Sequence, residues 1–302
     1  MTTRATQTPV LLNLGFPEMA EKYAKLPSGG VGLMRAEFLA LSIGKHPQKM
    51  LDQGGAETFT AFFEEKIAQV AQAFFPRPVI YRSLDLKSNE YASLEGGEEY
   101  EEKEENPMLG HRGCSRYVAH PESFRLELRA LARARARGLS NLKLMLPFVR
   151  FPEELVQCRA WIAEEGLLDQ PGFELWMMAE VPSTVLLIEE FLPYVHGVSV
   201  GSNDLTQLIL GMDRDNRRLA AKFDERHPAV LAAMERIARA ARARNLSVSI
   251  CGNAPSRYPE LVEPLLRFGF TSFSVAAESF AKTVEAVSAA EQKIASEAAS
   301  SR

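Results

Sequence analysis

Eight short apolar runs, separated by longer amphipathic stretches, constrain the fold of this chain more than any other feature of its sequence. The first four read Val10-Leu-Leu-Asn-Leu-Gly15, Gly30-Val-Gly-Leu-Met-Arg35, Val79-Ile-Tyr-Arg-Ser-Leu84 and Leu142-Lys-Leu-Met-Leu-Pro147. The last four are Leu175-Trp-Met-Met-Ala-Glu180, Val198-Ser-Val-Gly-Ser202, Ser247-Val-Ser-Ile-Cys251 and Ser272-Phe-Ser-Val275. Each has the length of a strand, and several run into Gly, Pro, Asn or Asp, as strands entering turns do. Between them apolar residues recur three and four apart: Phe62, Phe63, Ile67, Val70 and Phe74 within 58–74, and Phe124, Leu128 and Leu131 within 124–139, opposite an arginine-rich face. Segments 153–163, 184–194, 229–241 and 278–295 follow the same helical period. Alternating strands and helices give right-handed βαβ units and a parallel sheet. Eight strands, nearly every one followed by a helix, predict an α/β fold of the (β/α)8 TIM-barrel type.

At 302 residues the chain has room for one such barrel, and the reading takes 1–302 as a single domain. A Gly-x-Gly-x-x-Gly motif is absent after the first run, which argues against dinucleotide binding. Thirty-five basic and 39 acidic residues leave a net charge of −4, giving no global field to attract nucleic acid or an anionic membrane. No apolar stretch approaches the roughly 18 residues of a membrane span, and the N-terminus carries no secretory pattern. Cys114, Cys158 and Cys251 are too few and too widely spaced for a disulfide framework or a Cys-x-x-Cys metal site. The five histidines form no zinc cluster. The expected location is the cytoplasm.

Two connections are long. Residues 85–140 contain the acidic run Glu98-Glu-Tyr-Glu-Glu-Lys-Glu-Glu105, expected as solvated surface, and a Gly- and Arg-containing tract, 106–116, that reads as a loop folded back over something. A second long connection, 205–227, follows the sixth run. Loops of this length in a compact barrel are usually functional or mobile.

In a TIM barrel the active site lies where the strands end, at the C-terminal face. The residues at those ends are Arg35, Arg82, Glu180, Asn203-Asp204 and Cys251-Gly252. Two carboxylates can hold Mg2+ and leave positions for water or substrate oxygens. Arginine forks bind carboxylate or phosphate bidentately. A thiol at a strand end can exchange a proton with a substrate carbon. Together they point to a small anion that reacts through an enolate. Each residue also has a structural alternative: Cys251 as core packing, Glu180 as a helix-entry charge, Asn203-Asp204 as a helix cap, and Arg35 and Arg82 as rim ion pairs.

At these residues the sequence resembles the phosphoenolpyruvate-utilising enzyme family. The matching motifs are Gly30-Val-Gly-Leu-Met-Arg-Ala-Glu-Phe38, Glu180-Val-Pro-Ser183, Gly201-Ser-Asn-Asp-Leu-Thr-Gln207, Asp213-Arg214 and Cys251-Gly252. Three longer tracts, 81–91, 105–117 and 251–256, resemble the branch that makes phosphoenolpyruvate from pyruvate. The resemblance implies a pyruvate/phosphoenolpyruvate-binding barrel with Glu180 and Asp204 as ligands of Mg2+, or of Mn2+ in its place. It also implies substrate contacts from Arg35, Arg82, Glu180, Gly201, Ser202, Asn203, Asp204 and Arg214. Cys251 falls on the family's proton donor or acceptor, and Mg2+ bridges the substrate carboxylate and enolate oxygen. A homodimer is the family's habit.

The departures are as informative. The family's phosphohistidine sits in a Thr-x-Gly-Gly-x-x-x-His setting, and none of His46, His111, His120, His196 and His227 does. The expectation is that phosphohistidine and ATP-grasp domains, in cis or in trans, complete the reaction. His111 stands where that branch usually has Phe, and Val275-Ala-Ala-Glu278 where Asn-Pro-Asp is typical. Two alternatives stay open: a stand-alone Mg2+-dependent lyase or aldolase on pyruvate-like enolates, and a non-catalytic phosphoenolpyruvate-binding regulatory module.

Overall fold

The computed structural model describes residues 6–300. Eight strands close into a barrel in chain order: β1 (Val10–Leu14), β2 (Val31–Arg35), β3 (Val79–Arg82), β4 (Leu142–Leu146), β5 (Leu175–Ala179), β6 (Gly197–Val200), β7 (Ser247–Ile250) and β8 (Ser272–Ala276). Every one of the eight runs is a strand, and six of them end one or two residues sooner than the apolar run does. The residues that drop out of the ladder, among them Glu180, Gly201, Ser202 and Cys251, begin the turns at the strand ends.

The chain comprises two compact units. The first contains the described residues up to Asn13, Pro27–Gly32 and the chain from Met178 onward. Within it β1 lies parallel to β8 with Val10 opposite Phe273, β6 to β7 with Val198 opposite Val248, and β7 to β8 with Ile250 opposite Phe273. Val198, Val200, Val248, Ile250 and Phe273 are fully buried, as expected of strands covered on both faces. The helix Pro228–Ala243 packs against β6 and β7 through Val230, Met234, Ile237, Ala238 and Ala241, close to the 229–241 reading. His227 caps its start by accepting from Ala229 N at 3.2 Å.

The expected helix over 184–194 is instead three short pieces, Pro182–Leu186, Ile188–Phe191 and a 3-10 turn, Leu192–Tyr194. Leu187 leaves the helical region between the first two, and Pro193 offers no N–H to continue the ladder. At the C-terminal end, Phe280–Ser300 is helical for longer than the periodic stretch.

The second unit contains Leu14–Leu26 and Leu33–Met177. Here β3 pairs with β4, Tyr81 opposite Leu144, and β4 with β5, Leu146 opposite Met177. The helices Ala56–Phe74 and Pro121–Ala136 pack side by side. Phe59 stacks on Phe63 with centroids 4.4 Å apart, so Phe59 fills the core place expected of the half-buried Phe62.

The arginine-rich face of Pro121–Ala136 is mostly solvated, with Arg133 on Glu57 and Arg137 on Glu65. Exposed pairs of this kind contribute little each. Arg135 departs from that reading: it is buried and ties the start of β4 to the approach to β5. It donates to the carbonyls of Ser140 at 3.0 Å and Pro171 at 2.8 Å.

Candidate active site

Four of the sequence-predicted site positions in the first unit cluster around the start of one helix, Ser202–Leu210. Gly201 is its N-cap, Ser202 and Asn203 open its first turn, and Asp204 follows in that turn. Neither Asn203 nor Asp204 acts as the cap, because the cap position belongs to Gly201 and carries no side-chain bond. An aspartate in a first turn lies at the positive end of the helix dipole, where its charge is stabilised.

Glu180 immediately follows β5 and is buried. Its carboxylate reaches the same turn. A Cβ built on Gly201 would lie 2.3 Å from Glu180 Oε2 and 2.9 Å from Glu180 Cβ, so only glycine lets the end of β6 approach so closely. Gly201 N donates to Ala179 O at 3.3 Å, linking the two strand ends. Asp204 is buried with its Oδ1 3.2 Å from Arg214 Nη1. Arg214 is also held through its backbone N–H, which donates to Gln207 Oε1 at 3.2 Å.

Cys251 follows β7 directly and is 2% exposed. Its backbone N–H donates to Val200 O at 3.1 Å, and Sγ lies 3.7 Å from the same oxygen. Asn13 Nδ2 donates to the Cys251 carbonyl at 3.1 Å, and Ser274 Oγ in turn donates to Asn13 Oδ1 at 2.7 Å. The next residue, Gly252, lies against Ser202: a Cβ at 252 would fall 1.9 Å from Ser202 Oγ and 2.7 Å from Ser202 N. Ser202 Oγ donates to Glu225 Oε1 in a short hydrogen bond.

In the second unit, Arg35 ends β2 and Arg82 ends β3. Arg82 is part of a buried charge network. Its Nη2 lies 3.0 Å from Glu37 Oε1, which also accepts from Asp85 N at 2.8 Å. Arg112 clamps Asp85 with two hydrogen bonds, 2.9 and 2.6 Å, and stacks on Phe148 with its Cζ 4.0 Å from the ring centroid. Arg150 covers Phe148 as well and binds the carbonyls of Gly110 and Arg112 at 2.6 and 3.1 Å. The tract 106–116 is therefore folded onto the end of β4.

The acidic run is not wholly solvated. Glu98, Glu99, Glu102 and Glu105 are exposed, but Glu101 receives both Arg116 and His46, and Glu104 accepts from His111 N at 2.8 Å. Burial opposes ionisation of Glu101, yet His46 and Arg116 outweigh it and hold its pKa below the ordinary range. On the helix Pro121–Ala136, Glu127 accepts from Tyr81 Oη at 2.6 Å and Leu84 N at 3.0 Å. Its burial raises the carboxyl pKa to about 8.

Glu37, Asp85, Arg112, Asn13, Glu127 and Glu225 were not singled out by the sequence. Glu37, Asp85 and Arg112 lie inside recognised motifs, which was the available signal. Glu127 looks like any charge on a helix, and Glu225 lies in a connection without a pattern.

Among the described residues no group of three or more His, Cys, Asp or Glu side chains gathers into a metal cage. Mg2+ commonly takes one or two carboxylates and completes its shell with water and substrate oxygens. Glu180 lies against Gly201 and Asp204 stands in the helix turn that Gly201 caps, so the donors present there are carboxylate oxygens, the kind Mg2+ takes.

A parallel (β/α)8 barrel with charged side chains at its strand ends is the architecture of a TIM-barrel enzyme. Residues 1–292 match the family described as PEP-utilising enzyme, PEP-binding domain, and the chain belongs to that family. It is 49% identical over 296 residues to a probable phosphoenolpyruvate synthase of Staphylothermus marinus, covering 96% of this chain and 35% of that protein. The phosphoenolpyruvate synthase of Aeropyrum pernix is 48% identical over 297 residues, with 96% and 36% covered. The chain thus spans about a third of the length of these curated relatives. A solved HpcH/Hpal aldolase/citrate lyase family protein from Burkholderia cenocepacia superimposes with a TM-score of 0.50 at 16% identity, covering 97% of this chain and 96% of that one. At that identity the likeness concerns the fold. Among the described residues no helix is long and apolar enough to cross a membrane.

Proposed function

We propose that this chain performs the pyruvate/phosphoenolpyruvate half-reaction of a pyruvate, water dikinase, the activity of phosphoenolpyruvate synthase. The observation that carries the reading is the likeness to synthases along 96% of the chain. Residues 1–302 form one substrate-binding domain in this reading, and the phosphoryl group arrives from a phosphohistidine on another domain, charged by an ATP-grasp domain, in cis or in trans. The working form is a cytoplasmic homodimer.

Glu180 and Asp204 would hold one Mg2+ or Mn2+, whose bound charge would stabilise the negative oxygen that develops on the substrate. Arg35 and Arg82 bind the anionic substrate through planar forks, which suit carboxylate and phosphoryl oxygens. The backbone and side chains of Gly201, Ser202 and Asn203, with Arg214, orient it. Cys251 takes a proton from the pyruvate methyl, leaving the enolate; the enolate oxygen displaces the histidine nitrogen at phosphorus and gives phosphoenolpyruvate. In reverse the thiol returns the proton to the same carbon. The neutral-to-acidic balance of the chain and the lack of a basic field support a small-molecule anion over a nucleic acid.

Calorimetry with oxalate, a planar mimic of the enolate, tests the reading. Binding that requires Mg2+ is expected, and oxalate that fails to bind at any Mg2+ concentration would remove the proposal.

A further inference from the structure

The connection 205–227 has so far supplied only Arg214, and its one fully buried carboxylate has no assigned part. Glu225 is 1% exposed. One of its oxygens, Oε1, accepts from Ser202 Oγ, while Oε2 is buried with no hydrogen-bond partner. Burial drives its pKa above the ordinary carboxylate value, against the Ser202 bond, which lowers it. Desolvating a carboxyl that completes only one hydrogen bond is costly. An apolar residue would pack there more cheaply unless the bond to Ser202 has a use.

Ser202 links that carboxyl to the strand-seven turn. Gly252 packs so tightly on Ser202 that a Cβ would fall 1.9 Å from Oγ, so the Ser202 rotamer and the Gly252 backbone cannot move independently. Cys251 precedes Gly252, and its own carbonyl is fixed from the other side by Asn13. The thiol-bearing turn is thus held between two polar side chains, Asn13 acting on it directly and Glu225 through Ser202.

The geometry points to Glu225 as a positioning residue that sets the Cys251-Gly252 turn by locking the Ser202 hydroxyl. Its functional consequence rests on the reading of Cys251 given above, whereas the linkage itself does not.

The test is the rate at which iodoacetamide alkylates Cys251, followed peptide by peptide by mass spectrometry on the full chain without metal or substrate. Cys114 and Cys158, both buried elsewhere in the fold, serve as internal controls. Glu225→Ala is expected to change the Cys251 rate at least fivefold while the controls stay as in wild type. Glu225→Gln keeps an oxygen acceptor for Ser202 and should restore the wild-type rate to within twofold. Ser202→Ala should reproduce the Glu225→Ala effect, and the double variant should add nothing, since both changes break one link.

Wild-type alkylation in Glu225→Ala, failure of Gln to rescue, or additive effects in the double variant would each overturn the assignment. If Glu225→Ala does not fold by circular dichroism, Ser202→Ala against Ser202→Thr decides it, Thr being expected to keep the hydroxyl link. A second arm reads pyruvate methyl exchange in deuterated solvent, with phosphate or the phosphohistidine domain supplied. An absence of exchange in wild type would count against the proposed function and leave the alkylation result to decide the linkage.

Discussion

Arg82 Nη2 sits 3.0 Å from Glu37 Oε1 in a pair that is nearly closed to solvent. The same Glu37 oxygen accepts the Asp85 N–H, so the strand-three arginine is fixed to the turn that follows it. A surface pair would be screened and nearly worthless. This one is largely desolvated, and an arginine with a planar fork cannot be replaced by a point charge without loss.

Arg82→Lys and Arg35→Lys keep the charge but lose the fork. Phosphoenolpyruvate affinity should fall at least about tenfold in each, or roughly 1.4 kcal/mol. Isothermal titration in the presence of Mg2+ checks this, and normal binding by either lysine variant would assign that arginine a structural part only.

Glu180→Gln and Asp204→Asn should each abolish Mg2+-dependent oxalate binding with the far-ultraviolet circular dichroism unchanged. Both changes preserve shape and remove the charge the cation needs. Undiminished binding in both would place the metal elsewhere.

Gly201→Ala tests the close approach of Glu180 to the helix turn. The new Cβ would meet Glu180 Oε2 at 2.3 Å and displace that carboxylate from the helix turn. Oxalate binding should weaken at least about tenfold. The same binding as wild type would mean that the carboxylate position is immaterial.

Cys251→Ala should leave Mg2+ and oxalate binding intact yet lose most exchange of pyruvate methyl protons with deuterated solvent, by about a hundred- to ten-thousandfold. The exchange is measured with phosphate or the phosphohistidine domain supplied, under conditions where wild type shows it. Cys114→Ala and Cys158→Ala should exchange almost normally. A Cys251→Ala variant that exchanges at the wild-type rate would make the thiol mere packing.

Glu127 predicts a pH dependence of stability. Burial raises its folded pKa from 4.5 to about 8, so the folded state favours the protonated carboxyl. Its contribution is fully present below the unfolded pKa and is lost as pH rises through the folded one. The melting temperature of wild type relative to Glu127→Gln should therefore fall between pH 5 and pH 9. Parallel melting curves for the two proteins across that range would refute the shift.

The strands were legible because burial on both faces of a parallel barrel leaves a local mark: short, nearly continuous apolar runs ending in turn residues. Val10-Leu-Leu and Leu175-Trp-Met-Met-Ala carry that mark and lie in β1 and β5. The 184–194 segment shows the limit, since its apolar spacing survives although Leu187 and Pro193 divide it. Phe62 shows another: a helical period identifies a face to within one residue, and Phe59 took the deeper place.

By itself the sequence determined the eight strand positions, the helix periods between most of them, and which chemical groups stand at the strand ends, all properties of contiguous residues. Only the tertiary structure decided which carboxylates turn inward. Glu225 meets Ser202 across 23 residues and Glu127 meets Tyr81 across 46, while the acidic run is divided residue by residue between water and Arg116, His46 and His111. A charged side chain carries no local signal of its partner. Its burial depends on whether packing brings a donor within hydrogen-bond reach to offset the lost hydration, and that is decided only when distant segments meet.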